Sequence, residues 1–118
     1  MSDSRHRELA ERWWAMSIAE QLGNIGSEIS RAAKWSSRNP ETARAAFYRA
    51  LDLFDLTLDD PRHRQSPARL REIARAREVV VDLFDGSNQY GSTHQSLQRY
   101  FDAYAAYRSR VNAAPAER

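Results

Sequence analysis

The spacing of the apolar residues constrains the fold more than any other feature, because they recur three and four positions apart along most of the chain. This spacing places them on one face of an α-helix, and the strict alternation of a β-strand is absent. Polar segments interrupt the pattern at 36–40, 59–67 and 86–91. The sequence therefore predicts four amphipathic helices joined by short turns.

The helix boundaries are predicted from residues that start and stop helices. We predict helices over 4–35, 40–58, 67–85 and 92–110, with a frayed tail over 111–118. Asn39-Pro40 and Ser66-Pro67 each place an N-cap before a proline, and Pro61 ends the second helix. The 118 residues suit one domain, 1–118. We expect an all-α, antiparallel up-down-up-down four-helix bundle with a long first helix.

Composition and motifs restrict the function. Cysteine is absent, Lys34 is the only lysine, and neither a phosphate-binding glycine-rich loop nor a Gly-x-Ser-x-Gly motif occurs. His6, His63 and His94 lie at predicted helix ends or turns, and none follows a glutamate by three residues, as helical di-metal sites require. We predict no metal, no cofactor and no enzymatic activity, and we interpret His63 as a solvated turn residue.

The expected location is cytoplasmic. No apolar run approaches the ~20 residues of a membrane span. The polar segment 1–12 carries both signs of charge and does not resemble a secretory signal. The 18 basic and 16 acidic residues leave a formal net charge of +2, which points only weakly to nucleic acid.

The length of the first predicted helix raises the question of what covers its N-terminal half. At 1.5 Å per residue it would span about 45 Å, against roughly 27 Å for the others. Yet this half carries Trp13 and Trp14, which point about 100° apart on a helix, so one core face cannot easily cover both. Either the helix bends near Gly23 and Gly26 and folds back onto the fourth helix, or a second copy covers it.

We favour the second explanation and predict a homo-oligomer. Small residues on the same helix would let a neighbouring helix approach closely, inside the bundle or between subunits; alternatively they would form a groove for a ligand. The residues predicted to line the subunit interface are Trp13, Trp14, Met16, Gly23, Ser27 and Ser30.

A buried charge network is predicted around Arg77, which falls on the apolar stripe of the third helix. A buried arginine needs a carboxylate partner, and Glu28 and Asp55 lie at the edges of neighbouring stripes. We expect this network to set the register of the helices or to form half of an intersubunit contact. A small-ligand-binding or enzymatic role for this interior is the alternative.

Basic residues concentrate over 31–49, where Glu41 is the only acidic residue. Arginine and lysine would contact phosphates there, and a tryptophan could stack on a base. An ordinary solvated surface is the competing interpretation. The residues predicted to bind nucleic acid are Arg31, Lys34, Trp35, Arg38, Arg44 and Arg49.

Three segments, 16–28, 50–57 and 69–73, resemble a family of small uncharacterised bacterial four-helix-bundle proteins. More distantly, the length, helix count and arginine content are similar to those of bundles encoded in ribosomal RNA intervening sequences and of accessory proteins of diversity-generating retroelements. That likeness implies a pentameric barrel that binds nucleic acid and a partner protein. We therefore expect a non-enzymatic, homo-oligomeric interaction or adaptor module.

Overall fold

The computed structural model describes residues 2–86 and 88–113, and the side chains of residues 4–86 and 88–103. This part of the chain forms six α-helices and no β-strand, so the prediction of an all-α protein is confirmed. None of these helices is long and apolar enough to cross a membrane. The helices are α1 Ser2–Trp14, α2 Ile18–Trp35, α3 Pro40–Leu58, α4 Pro61–Arg64, α5 Pro67–Asp85 and α6 His94–Ala113.

The predicted long first helix over 4–35 is wrong, because the chain breaks between α1 and α2. Ser17 has an extended backbone and its hydroxyl accepts a hydrogen bond from the Glu20 backbone N–H at 3.1 Å. The Ser17 N–H in turn donates to the Glu20 carboxylate at 3.2 Å. This capping box satisfies N–H groups that have no partner inside a helix. Gly23 and Gly26, the bend offered as the alternative explanation, lie within α2, so the chain turns before them and not at them.

The predicted bounds of the second and third long helices are confirmed. The Asn39 side chain accepts from the Thr42 backbone N–H at 3.2 Å and Pro40 opens α3. Ser66 caps α5 in the same way, one residue before its opening proline. Helix α6 starts at His94, two residues later than predicted, and continues to Ala113, beyond the predicted end at 110. Residues 114–118 of the predicted tail lie outside the described residues.

The core forms where α2 packs against α3 and α6, while α3 also contacts α1 and α5. The large side chains at its centre are Leu22, Ile25, Ile29, Phe47, Phe54, Ile73, Val80, Leu97 and Phe101. Gly26 sets the distance between α2 and α6, because a Cβ atom there would lie 2.7 Å from the Phe101 Cβ. The absence of a side chain at this position therefore allows the close approach.

Candidate interaction surfaces

A cluster of buried side chains joins α1, α2, α3 and α4, and the sequence analysis missed it. We call it the junction cluster. Its members are Trp13, Gln21, Thr57, Asp60 and His63. Trp13 is 6% exposed and the four others are at most 1% exposed. Buried polar groups are tolerated when they are hydrogen-bonded, so the bonding within this cluster decides whether it is stable.

Gln21 lies at the centre of the junction cluster, and both its amide nitrogen and its amide oxygen form hydrogen bonds. Its Nε2 donates to the backbone oxygen of Trp13 at 2.9 Å and to Asp60 Oδ2 at 3.0 Å. Its Oε1 is then the acceptor for His63 Nε2, which lies 2.8 Å away. This assignment places a proton on His63 Nε2. His63 Nδ1 is buried and has no hydrogen-bond partner within the described part of the chain.

The two adjacent tryptophans anchor α1 to the C-terminal half of α3. Trp13 Nε1 donates to Thr57 Oγ1 at 2.8 Å, and the Thr57 hydroxyl donates to the Leu53 backbone oxygen at 2.7 Å. Trp14 Nε1 donates to the Leu56 backbone oxygen at 2.8 Å. Each indole N–H therefore has a partner although the rings point in different directions. The N-terminal half of the predicted first helix is thus covered by its own chain.

Asp60 is the only fully buried acid among the described side chains and caps the short helix α4. Arg62 donates to its carboxylate from the backbone N–H at 2.9 Å, from Nε at 3.1 Å and from Nη2 at 2.6 Å. Burial raises the pKa of Asp60, but the hydrogen bonds from Arg62 and Gln21 and the nearby His63 outweigh it and lower the pKa to about 2. Asp60 is therefore ionised at neutral pH.

His63 does not behave as the solvated turn residue that its neighbouring arginines indicated. The segment folds as α4, which turns the ring inward, so that interpretation is wrong. Burial lowers the pKa of His63 below its ordinary value, and the charge of Asp60 opposes this shift without reversing it. The ring is neutral at pH 7 and acts as a hydrogen-bond donor inside the protein.

The predicted pairing of Arg77 with Asp55 is confirmed, but the predicted burial of this network is wrong, and Glu28 does not take part in it. Arg77 Nε donates to Asp55 Oδ1 at 3.0 Å, but these side chains are 32% and 57% exposed. Glu28 instead pairs with Arg31 at 2.8 Å and with Arg49 at 3.1 Å. A long arginine side chain can cover apolar surface with its stem and keep its charge in water.

The residues predicted to line a subunit interface have different environments. Trp13 belongs to the junction cluster and is 6% exposed, because α1 folds back onto α3; little of its surface is left for a second copy, and its role at an interface stays a prediction. Trp14 and Met16 are half-buried. Gly23, Ser27 and Ser30 border a shallow cavity of about 310 Å³ beside α6. A Cβ atom at Gly23 would meet nothing within 4 Å, so the predicted close helix contact forms at Gly26 instead.

An open groove of about 430 Å³ lies between α1 and α3. We call it the α1–α3 groove. Its apolar lining consists of Leu9, Trp13, Met16, Leu53 and Leu56, and its charged lining consists of Arg12, Glu28, Arg49 and Asp52. Leu9 is 49% exposed, which makes it one of the few large apolar side chains in water. The groove combines an apolar floor with a rim that carries both signs of charge.

The predicted nucleic-acid-binding residues are brought to one end of the molecule, but their charges are not all available. Arg31 and Arg49 are both paired with Glu28. Exposed Lys34, Arg38 and Arg44 form no ion pair with any other described side chain. The predicted aromatic residue, Trp35, is half-buried.

Tyr48 is the aromatic residue that the sequence analysis missed at this end. It is 55% exposed and lies one turn after Arg44 on α3. Both line a cavity of about 190 Å³, which Asp85 also borders. We call Lys34, Arg38, Arg44 and Tyr48 the basic corner. The i, i+4 spacing of Arg44 and Tyr48 was available in the sequence, but exposure of the ring was not.

One further cavity, of about 290 Å³, separates α5 from α6. Ala76 and Leu97 form its apolar floor, and the Tyr100 hydroxyl donates to Glu72 at 3.4 Å across its mouth. No group of three or more histidine or acidic side chains that could hold a metal occurs among the described residues. Comparisons of the chain with protein-family models, curated proteins and solved structures find no significant match.

Proposed function

We propose that this protein is a non-enzymatic, self-associating interaction module that docks through the α1–α3 groove, on a four-helix bundle of α2, α3, α5 and α6. The observation that carries the proposal is the groove, whose apolar floor stays open to solvent after α1 has folded back. A contiguous apolar surface with a charged rim is typical of protein–protein contacts. A second copy is the proposed occupant because the rim carries both signs of charge.

The apolar side chains of the groove supply the free energy for this association. Leu9 is half exposed, and Leu53 and Leu56 are partly exposed on the facing helix. Covering the remaining surface of each would contribute about 1 kcal/mol. Trp13 lies beneath them and is held rigidly by its bond to Thr57, so the floor is preorganised for docking.

The competing ligand-binding or enzymatic role was predicted from Glu28, Asp55 and Arg77 meeting in the interior, whereas Arg77 and Asp55 pair in contact with solvent and Glu28 pairs with Arg31 and Arg49. The buried polar atoms that do meet, in the junction cluster, are bonded to one another and to the backbone, except for His63 Nδ1. None of the four cavities described above is lined by Gln21, Thr57, Asp60 or His63. The arrangement supports a structural role for these groups.

Sedimentation velocity at tens of micromolar tests the proposed self-association. Leu9→Glu places a charge on the groove and should convert an oligomer into monomers without unfolding the chain, because Leu9 is half exposed. Tyr48→Glu is the matched control, since Tyr48 is similarly exposed and lies outside the groove. A monomeric unsubstituted protein, or an oligomer that survives Leu9→Glu, would contradict the proposal.

Binding of single-stranded nucleic acid at the basic corner is a second candidate function. The observation that favours it is the exposure of Tyr48 next to Arg44 in one cavity lining, at the same α2–α3 end as Lys34 and Arg38; none of the three cations has an acidic partner among the described side chains. Stacking of a base on an aromatic ring is worth about 1–3 kcal/mol, and phosphate contacts would add to it. The local net charge is positive because Arg31 and Arg49 already neutralise Glu28.

Fluorescence anisotropy with single-stranded and duplex probes tests this second function at low and moderate salt. Binding should weaken steeply with salt, because each neutralised phosphate releases counterions. Tyr48→Ala should weaken single-strand binding by about ten- to a hundredfold, the equivalent of one lost stacking contact. Tyr90→Ala, at a similarly exposed tyrosine elsewhere, is the control. Absence of binding at low salt would exclude the function.

A further inference from the structure

We infer that the α1–α3 groove is the centre of a two-fold contact between two copies, in which Arg12 of one copy pairs with Asp52 of the other. This inference rests on the proposed self-association and adds its geometry and specificity. It starts from the charges at the rim of the groove, which are not equivalent to one another. Two of these charges have a charged partner among the described side chains, and two do not.

Glu28 and Arg49 are the satisfied pair. Arg49 donates to the Glu28 carboxylate from Nε at 3.1 Å and from Nη2 at 3.3 Å, and Glu28 also receives a bond from Arg31. Such a group offers little free charge to a partner, because its lone pairs are already engaged. These side chains therefore border the groove without selecting what enters it.

Arg12 and Asp52 are the unsatisfied charges. Both are exposed, and neither side chain forms an ion pair or a hydrogen bond with another side chain in the described part. They occupy opposite walls, Arg12 on α1 and Asp52 on α3. The groove thus offers one free cation and one free anion across an apolar floor.

A two-fold axis along the floor would bring each wall against the opposite wall of the other copy. In a two-fold contact each interaction between the copies occurs twice, so Arg12 and Asp52 form two identical ion pairs. Leu9 of one copy would then lie against Leu53 and Leu56 of the other. Under this two-fold rotation the charges of the rim are complementary to those of the second copy. A surface adapted to a different partner would not need this property.

The ion pairs would set orientation and specificity rather than supply most of the affinity. Charged groups at the edge of an interface steer encounter and fix register, whereas like charges placed together are strongly unfavourable. Reversal of either charge would therefore place two like-charged pairs in the contact. We expect each single reversal to weaken dimerisation by about ten- to a hundredfold.

Charge-reversal complementation tests the inference. Arg12→Asp and Asp52→Arg are prepared separately and then mixed, and native mass spectrometry resolves the heterodimer from both homodimers because the two variants differ in mass. Each variant alone should be largely monomeric where the unsubstituted protein is a dimer. The mixture should form heterodimers, because both contacts between the copies are again attractive. At a concentration at which the unsubstituted protein is also monomeric, the unfolding curves should match its own, since neither side chain has a charged partner among the described side chains.

Arg7→Asp and Glu11→Arg are matched controls that change the net charge of α1 equally while lying outside the groove lining. Both should dimerise normally. If either single reversal dimerises as well as the unsubstituted protein while Leu9→Glu dissociates it, the pairing is overturned and the groove interface stands. Single variants that stay monomeric when mixed also overturn it. An unsubstituted protein that is monomeric overturns the proposed function itself.

Discussion

Two arginine–aspartate pairs lie near the C-terminal half of α3, and they have opposite environments. Asp60 is completely buried and accepts four hydrogen bonds, three from Arg62 and one from Gln21. Asp55 receives one bond from Arg77 at 3.0 Å, and both side chains are open to solvent. The same two residue types are joined in both places, so the difference between them is one of burial and of the number of bonds.

Burial changes the energetic meaning of a charge pair. An exposed pair contributes about 0–1 kcal/mol because water screens it, whereas breaking a buried pair costs about 3–5 kcal/mol because a charge is left without a partner. The sequence indicated that the Arg77 pair would be the buried one, since Arg77 follows the apolar stripe of α5. Position on an apolar stripe did not predict burial of Arg77, whereas Asp60, in a polar segment where it caps α4, is completely buried.

The largest expected effect is that of Asp60→Ala, which leaves the Gln21 amide and three N–H donors of Arg62, one of them in the backbone, without their acceptor. We expect a loss of about 3–5 kcal/mol in the free energy of unfolding, measured by urea denaturation. The control is Asp55→Ala, which should cost less than about 1 kcal/mol. Equal losses for the two variants would remove the contrast between the pairs.

Thr57→Val tests the same cluster through a neutral group. Valine matches the shape of threonine but cannot accept a bond from Trp13 Nε1, which lies 2.8 Å from the hydroxyl. The buried indole N–H would lose its acceptor at a cost of about 1–3 kcal/mol. Thr42→Val on the same helix is the control, because its side chain makes no hydrogen bond within the described part. A melting temperature of Thr57→Val equal to that of the control would refute the assignment.

The pH dependence of stability isolates His63 from Asp60. Burial lowers the pKa of His63 in the folded protein, whereas in the unfolded chain the pKa has its ordinary value of 6.5. As the pH falls, the unfolded chain therefore takes up this proton before the folded protein does. The free energy of unfolding should therefore fall between pH 7 and 5, by at most about 2 kcal/mol from this group. Asp60 adds nothing in this interval, since its contribution is lost only as pH falls from 3.8 towards about 2.

His63→Gln is the variant for this measurement, because the glutamine amide can still donate to Gln21 but cannot titrate. Urea unfolding at pH 7, 6 and 5 should give a flatter dependence for the variant than for the unsubstituted protein, whatever its absolute stability. An unchanged slope would mean that another group takes up the proton.

The smallest effect is expected for Arg77→Ala, at less than about 1 kcal/mol, because a third of the side chain is exposed and its partner is more exposed still. Arg62→Ala is the informative companion, since it removes the cation from an acid that stays buried. It should destabilise the protein several times more strongly in the same denaturation experiment. A larger loss for Arg77→Ala than for Arg62→Ala would reverse the comparison.

Local signals in the sequence were sufficient for the bounds of α3 and α5. Asn39-Pro40 and Ser66-Pro67 predicted the starts of α3 and α5, because a capping side chain and a proline act on the first turn alone. Signals of the same kind mark the start of α2 at Ser17 and the start of α4 at Asp60-Pro61. The regular apolar spacing across 4–35 obscured the first signal, and the polar composition of 59–67 obscured the second. The basic character of the α2–α3 end was likewise readable from residue types.

The amino-acid sequence was thus enough to specify an all-helical chain, most of the faces that pack into the core, and the starts of α3 and α5. Only the folded arrangement shows that α1 returns to α3, that Asp60 and His63 are buried with Gln21, and that Arg12 and Asp52 have no charged partner among the described side chains. The reason is distance along the chain. Periodicity and caps act within one or two turns, whereas the bonds from Trp13 to Thr57 and from Gln21 to Asp60 join residues far apart in sequence.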